Sequence, residues 1–152
     1  LDGGKTKIGL ESTIVDLTDK VSILRPGGIT IERLEKVLHR KLKLKNLLKN
    51  IKSPGQLGFH YSPGIPVRLN AKYPKKNEAF LQFSGKAKNK NHYFTLSKNG
   101  NMREAAKNLF SILRLIKKKG YSSIAVSKIP NQGLGLAIND RLKRASKQWM
   151  KI

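Results

Sequence analysis

The sequence predicts an α/β protein, and three observations carry that reading. Short runs rich in β-branched and aromatic residues, such as Ser122 to Val126, alternate with longer segments of helical period. Turn residues punctuate the boundaries between them. Toward the C-terminus the order becomes strands, then helix, strand and helix, which favours a small layered fold with a partly parallel sheet.

Residues 1–40 read as strand, strand, helix. Ser12 to Leu17 and Val21 to Leu24 are the expected strands, separated by Thr18-Asp19-Lys20. Thr30 is placed to cap a helix running through Leu34, Val37 and Leu38 and ending near Arg40. Ile29 and Leu34 occupy the positions of a hydrophobic staple, and Glu32 sits in the first turn, where the helix dipole favours a carboxylate. Over 41–65 the pattern loosens. Lysines with scattered leucines give way to Ser53-Pro54-Gly55, Ser62-Pro63-Gly64 and then Pro66, a density of proline and glycine that prevents regular structure. This reads as a linker, yet Phe59-His60-Tyr61 is a cluster that a pure spacer has no use for.

Residues 66–152 read as one small α/β domain. Val67 to Leu69, Ala79 to Phe83 and Tyr93 to Leu96 are short strand candidates, and Asn99-Gly100 is a turn. Asn101 can cap a long helix in which Met102, Ala105, Ala106, Leu109, Leu113 and Ile116 recur at helical spacing, with Gly120 as its stop. Ser122 to Val126 has the composition of a buried strand, and a last helix presents Ile138, Leu142, Ala145 and Trp149 on one face.

Composition removes several classes of function. The chain has no cysteine, which excludes disulfides, thiolate metal sites and thiol catalysis. Three histidines with no His-x-x-x-His pair argue against a histidine-rich metal site. No run approaches the roughly 20 apolar residues that a membrane helix needs. Leu1-Asp2-Gly3-Gly4 lacks the basic lead-in and apolar run of a signal peptide, so a cytoplasmic protein is expected. A first residue other than methionine, with a Gly-Gly turn close to a strand, suggests a chain entered in mid-domain, and a fragment is expected. The net charge of +23 supports two readings. Lysine outnumbers arginine and is spread over turns and helix faces, as compositional drift would produce; alternatively, the charge forms a sequence-independent, salt-sensitive surface for RNA phosphates.

Several residues could carry chemistry. Ser12 and Thr13 open a strand, where their hydroxyls can bond to local backbone or to a ligand, and alternation sends Thr13 to the opposite, structural face. Arg25 stands between an apolar strand and Pro26-Gly27-Gly28, a surface arginine or a forked donor for phosphate. Glu11 and Asp16 fit capping and turn roles better than acid-base chemistry. Tyr61 combines an aromatic body with a hydroxyl tip, suited to packing on a neighbouring domain or to covering a ligand. Gly133-Leu134-Gly135-Leu136 precedes a helix but has neither the lysine of a P-loop nor the third glycine of a dinucleotide fingerprint.

Four segments recur in an order that identifies a family. Gly9-Leu10-Glu11-Ser12-Thr13-Ile14-Val15-Asp16, Ile23-Leu24-Arg25-Pro26-Gly27-Gly28, His60-Tyr61-Ser62-Pro63 and Gly133-Leu134-Gly135-Leu136-Ala137-Ile138-Asn139-Asp140-Arg141-Leu142 closely resemble the long form of threonylcarbamoyl-AMP synthase. In that family a YrdC-like catalytic domain is joined by a linker to a smaller C-terminal domain. The resemblance implies a remnant of the YrdC-like α/β domain over 1–40, a linker or lid over 41–65, and a small layered, Rossmann-like α/β domain over 66–152. It also implies that Ser12 contacts L-threonine, that Arg25 binds the ATP phosphates, and that Tyr61 reaches the nucleotide when the linker folds over the cleft. Asn139, Asp140 and Arg141 are implied only in helix packing.

The reaction implied for the intact protein condenses L-threonine, bicarbonate and ATP into threonylcarbamoyl-adenylate and pyrophosphate, with Mg²⁺ as an expected cofactor. The adenylate would feed tRNA modification by downstream transferase proteins, and tRNA or double-stranded RNA is an expected partner of the basic surface. The family's N-terminal phosphate-binding signature and Ser-Asn loop have no match here, so the chain alone is expected to be inactive. The rival expectation is a non-catalytic basic RNA-binding or regulatory module.

Overall fold

The computed structural model describes residues 6–18, 20–45, 61–85 and 91–147. The expected roles of Pro54, Gly55, Phe59, His60 and Trp149 fall outside the described residues.

The first unit is a three-stranded sheet with one helix. β1 (Ile14–Asp16) and β2 (Ser22–Arg25) pair antiparallel, with a register shift between Ile14 and Val15. The Thr30 hydroxyl accepts from the Arg33 N–H to start α1 (Ile31–Leu38), and His39 ends it in the left-handed region at φ 49°. The chain then forms β3 (Lys43–Leu44), parallel to β2, so the order is β1-β2-β3. Reading 41–65 as irregular missed β3, because two residues are too few for an alternating pattern to register. Asp16 is the turn residue its position suggested. It accepts from the Thr18 hydroxyl and N–H and pairs with Lys45 at 3.1 Å, and these bonds, Thr18 foremost, hold its carboxyl well below the usual range.

The second unit contains β4 (Val67–Arg68), β5 (Glu78–Ser84), β6 (Tyr93–Ser97), α2 (Met102–Lys118), β7 (Ser123–Val126) and α3 (Leu134–Lys147). The strand order is β4-β7-β5-β6, and every pairing is parallel rather than partly so. The Asn101 side chain accepts from the Glu104 N–H at 3.0 Å, and Gly120 at φ 79° follows the last turn of α2. Ala79, Leu81, Ile124 and Val126 alternate onto one face of the sheet, where Ala105, Ala106, Leu109, Leu113 and Ile116 of α2 and Ile138, Leu142 and Ala145 of α3 cover them. Phe80 and Ala125 point to the other face and join Ala71 in a smaller cluster.

The two units touch through the segment that leads into β1. Ile8 and Leu10 pack against the core of the second unit. Gly9, at φ 75°, lies so close to α2 that a Cβ there would stand 2.7 Å from the Lys107 Cα. Glu32 of α1 also accepts from the Gly133 N–H at 3.1 Å, ahead of α3. By contrast, α1 buries none of its own residues, and Leu17 (72%) and Val37 (70%) are largely exposed.

Candidate functional site

Ser12 and Arg25, chosen separately from the sequence, meet in the structure. The Pro26-Gly27-Gly28 turn folds back on the strand opposite, and the Gly28 N–H donates to the Glu11 carbonyl at 2.9 Å. A Cβ on Gly27 would come within 2.5 Å of Ser12 C and Thr13 N, so only glycine permits this approach. The closeness delivers the Arg25 guanidinium to Ser12: Nε and Nη2 donate to its carbonyl at 3.2 and 3.1 Å, and Nη2 reaches its hydroxyl at 3.3 Å. Arg25 is 8% exposed, whereas Ser12 faces solvent. The arginine therefore braces an exposed hydroxyl from behind. Thr13 has the structural role expected of it, since its hydroxyl donates to the Ile29 carbonyl and accepts from the Ile29 N–H at 3.2 Å, fixing the entry to α1.

Tyr61 joins the same neighbourhood from the second unit. Its ring stacks on Phe110 of α2, with centroids 5.7 Å apart and planes inclined by 28°. The Arg141 guanidinium of α3 lies 4.9 Å from the ring centroid. The Tyr61 backbone is left-handed at φ 74°, a conformation that a tyrosine keeps only where its surroundings impose it. Glu11, next to Ser12, hydrogen-bonds the Tyr61 phenol and accepts from Arg141 Nε at 2.8 Å. Sequence reasoning gave Glu11 a capping role and Arg141 a packing role, and the structure joins them in one ion pair. No sequence pattern links residues 130 apart in the chain, so this pairing had no local signal.

Burial pushes the Glu11 carboxyl upward. Its own backbone N–H and the hydrogen bond and charge of Arg141 outweigh that, leaving the group below its ordinary range. Burial likewise raises the Tyr61 phenol; the charges of Arg141 and Arg25 draw it down, those of Glu11 draw it up, and the net direction is upward. Tyr61 is therefore a neutral hydrogen-bonding phenol near neutral pH. The described residues bring together the exposed Ser12 hydroxyl, the buried guanidiniums of Arg25 and Arg141 and the partly buried Tyr61 ring, a positively charged setting suited to polar and anionic ligand groups. It does not fit a magnesium cage. Among the described residues no three His, Cys, Asp or Glu side chains converge, and Glu11 and Asp16 are each bound to a cation. The glycine-rich loop before α3 is not a phosphate cradle either, because Glu32 takes the Gly133 N–H and a Cβ on Gly135 would strike the Pro130 carbonyl.

The profile of "Threonylcarbamoyl-AMP synthase, C-terminal domain" matches residues 29–147. Threonylcarbamoyl-AMP synthase of Pyrococcus abyssi is 32% identical over 96% of this chain and 48% of its own length. The enzyme of Bacillus subtilis is 28% identical over 96% of the chain and 48% of its length, and that of Schizosaccharomyces pombe 31% over 96% and 44%. Among solved structures, Pyrococcus abyssi Sua5 complexed with L-threonine superposes with a TM-score of 0.79 at 30% identity, covering 95% of this chain and 48% of that one. A variant of the same protein with a histidine and a tyrosine replaced by alanine gives a TM-score of 0.74 at 29% identity over 95% of this chain and 47% of that one. The chain thus spans about half the length of the relatives it matches and corresponds to their C-terminal portion. No helix among the described residues is long and apolar enough to cross a membrane. Matched by the profile over most of its length, the chain belongs to the threonylcarbamoyl-AMP synthase C-terminal domain family.

Proposed function

We propose that this chain forms the C-terminal half of a threonylcarbamoyl-AMP synthase acting in tRNA modification. In that reaction the amine of L-threonine and bicarbonate form a carbamate with loss of water, a carbamate oxygen attacks the α-phosphate of ATP, and pyrophosphate leaves. No covalent enzyme intermediate is needed, so catalysis consists of positioning and charge stabilisation. Ser12 would hold L-threonine, Arg25 the ATP phosphates, and Tyr61 would close over the nucleotide. The observation that carries the reading is the convergence of these three residues from the segment before β1, from β2 and from the segment before β4, with Arg25 bonded to Ser12 and its charge felt at Tyr61. Mg²⁺ would accompany the ATP phosphates, and no step assigned here to this chain passes through it.

The exposed Leu17 and Val37 support a division of the molecule in which 1–40 completes a YrdC-like catalytic domain, 41–65 is a lid, and 66–152 is the accessory domain. A second reading, RNA attraction, has its own observation. Lys20, Arg40, Lys41, Lys43 and Lys45 surround a cavity of about 830 Å³, and a polyanion would find matching charge there. Such a surface could attract tRNA beside a catalytic site, or serve a module without catalysis.

Calorimetric titration of the full-length polypeptide with ATP and L-threonine tests the proposal. Synthase function requires nucleotide affinity that depends on threonine, and a pure RNA-binding module would show none. The 152-residue chain alone should release no pyrophosphate from ATP, threonine and bicarbonate.

A further inference from the structure

Arg141 is the largest of the fully buried side chains, at 1% exposure. Burying a guanidinium is costly, and a buried ion pair is weak grounds for a purely stabilising role. Two of its three nitrogens are paired with carboxylates. Nε donates to Glu11 at 2.8 Å and Nη1 to Asp140 at 2.7 Å, while Arg144 grips Asp140 from the other side with two bonds of 2.9 Å. Nη2 is buried with no hydrogen-bond partner among the described residues. A guanidinium placed only to clamp two units would use that donor. Here the guanidinium carbon lies over the Tyr61 ring, 4.9 Å from its centroid, and the same ring stacks on Phe110 of α2. Arg141 also holds Glu11, the carboxylate that hydrogen-bonds the Tyr61 phenol, so it acts on the ring and on the hydroxyl together.

We infer that Arg141 is a positioning residue for Tyr61, setting the ring and phenol of the lid from the C-terminal domain and tying them through Glu11 to the segment before β1 that carries Ser12. The inference rests on the lid role proposed for Tyr61. It gives the accessory domain a part in the reaction without contact to substrate. Arginine suits the task because its flat, forked cation can stack on a ring and bond a carboxylate at once, which lysine cannot do.

The test uses the full-length polypeptide and steady-state kinetics on ATP for Arg141→Met, Arg141→Lys, Tyr61→Ala and the Arg141→Met/Tyr61→Ala pair. Arg141→Met should lower kcat/KM for ATP by about tenfold, and Arg141→Lys should restore only part of it. In the Tyr61→Ala background, Arg141→Met should add no further loss, because its effect passes through the ring. An impaired Tyr61→Ala combined with an inert or additive Arg141→Met overturns this inference alone. An inert Tyr61→Ala overturns the lid reading and this inference with it. Should the methionine variant not fold, the unmodified protein still decides: nuclear Overhauser contacts between the Tyr61 ring and Arg141 are required, and their absence refutes the arrangement.

Discussion

Replacing Gly27 by alanine tests whether the turn after β2 holds the site together. The backbone at Gly27 is not in the left-handed region, so the effect is steric and not conformational. An added Cβ would lie within 2.5 Å of Ser12 C and Thr13 N, where carbon contacts normally fall at about 3.5–4.0 Å. Those atoms are backbone and cannot rotate aside, so β1 and the turn must part by about 1 Å. The same movement would stretch the bonds of 3.1 and 3.3 Å from Arg25 Nη2 to Ser12 beyond useful length. Overpacking costs about 1–3 kcal/mol and a charged hydrogen bond contributes about 1.5–3 kcal/mol. Because relieving the clash is what breaks the bonds, the two do not simply add, and a loss of about 2–4 kcal/mol is expected. Urea unfolding followed by circular dichroism measures it, and calorimetry of the full-length polypeptide should show weakened L-threonine binding. A loss below about 0.5 kcal/mol with unchanged threonine affinity would refute the reasoning, since the approach would then be soft and Arg25 would not orient Ser12.

Other expectations follow from single features. Gly135→Ala drives a Cβ into the Pro130 carbonyl and should lower the thermal midpoint more than Gly133→Ala, whose Cβ meets open space but whose backbone, at φ 54°, costs about 1 kcal/mol; equal midpoints would contradict the packing. Glu11 has a lowered carboxyl pKa, so its contribution is fully present above the unfolded value and is lost as the pH falls through the folded one. Glu11→Gln should therefore flatten the acid side of the stability profile, and an unchanged acid slope would show that the Arg141 pair does not matter there. Tyr61→Ala removes the stack on Phe110 and the contact with Arg141, and should cost about 1–2 kcal/mol in denaturant unfolding as well as ATP affinity; loss of neither would mean that the ring is unanchored.

Much of the fold was legible because its signals are local. Asn101 and Gly120 bracket α2 as cap and stop, and Ala105, Leu109, Leu113 and Ile116 mark its buried face at a spacing that depends only on helix geometry. Thr30 likewise acts within three residues of itself, as does Asp16 in its bonds to Thr18. At β3 only two residues pair with β2, too few to leave an alternating pattern in the sequence. The ordered motifs were equally readable, and they pointed to Ser12, Arg25 and Tyr61 before any contact among them was known.

The sequence by itself determined the α/β class, the family, the helix boundaries to within a few residues, and the residue types suited to a polar, anionic ligand. Only the tertiary structure decided that Arg25 braces Ser12, that Glu11 answers Arg141, and that Tyr61 contacts both Phe110 and Arg141. The reason is physical. Caps, turns and helical periodicity arise from bonds between near neighbours, whereas an ion pair between Glu11 and Arg141 depends on how segments 130 residues apart pack against each other, and charge complementarity over that separation leaves no periodic trace in the chain.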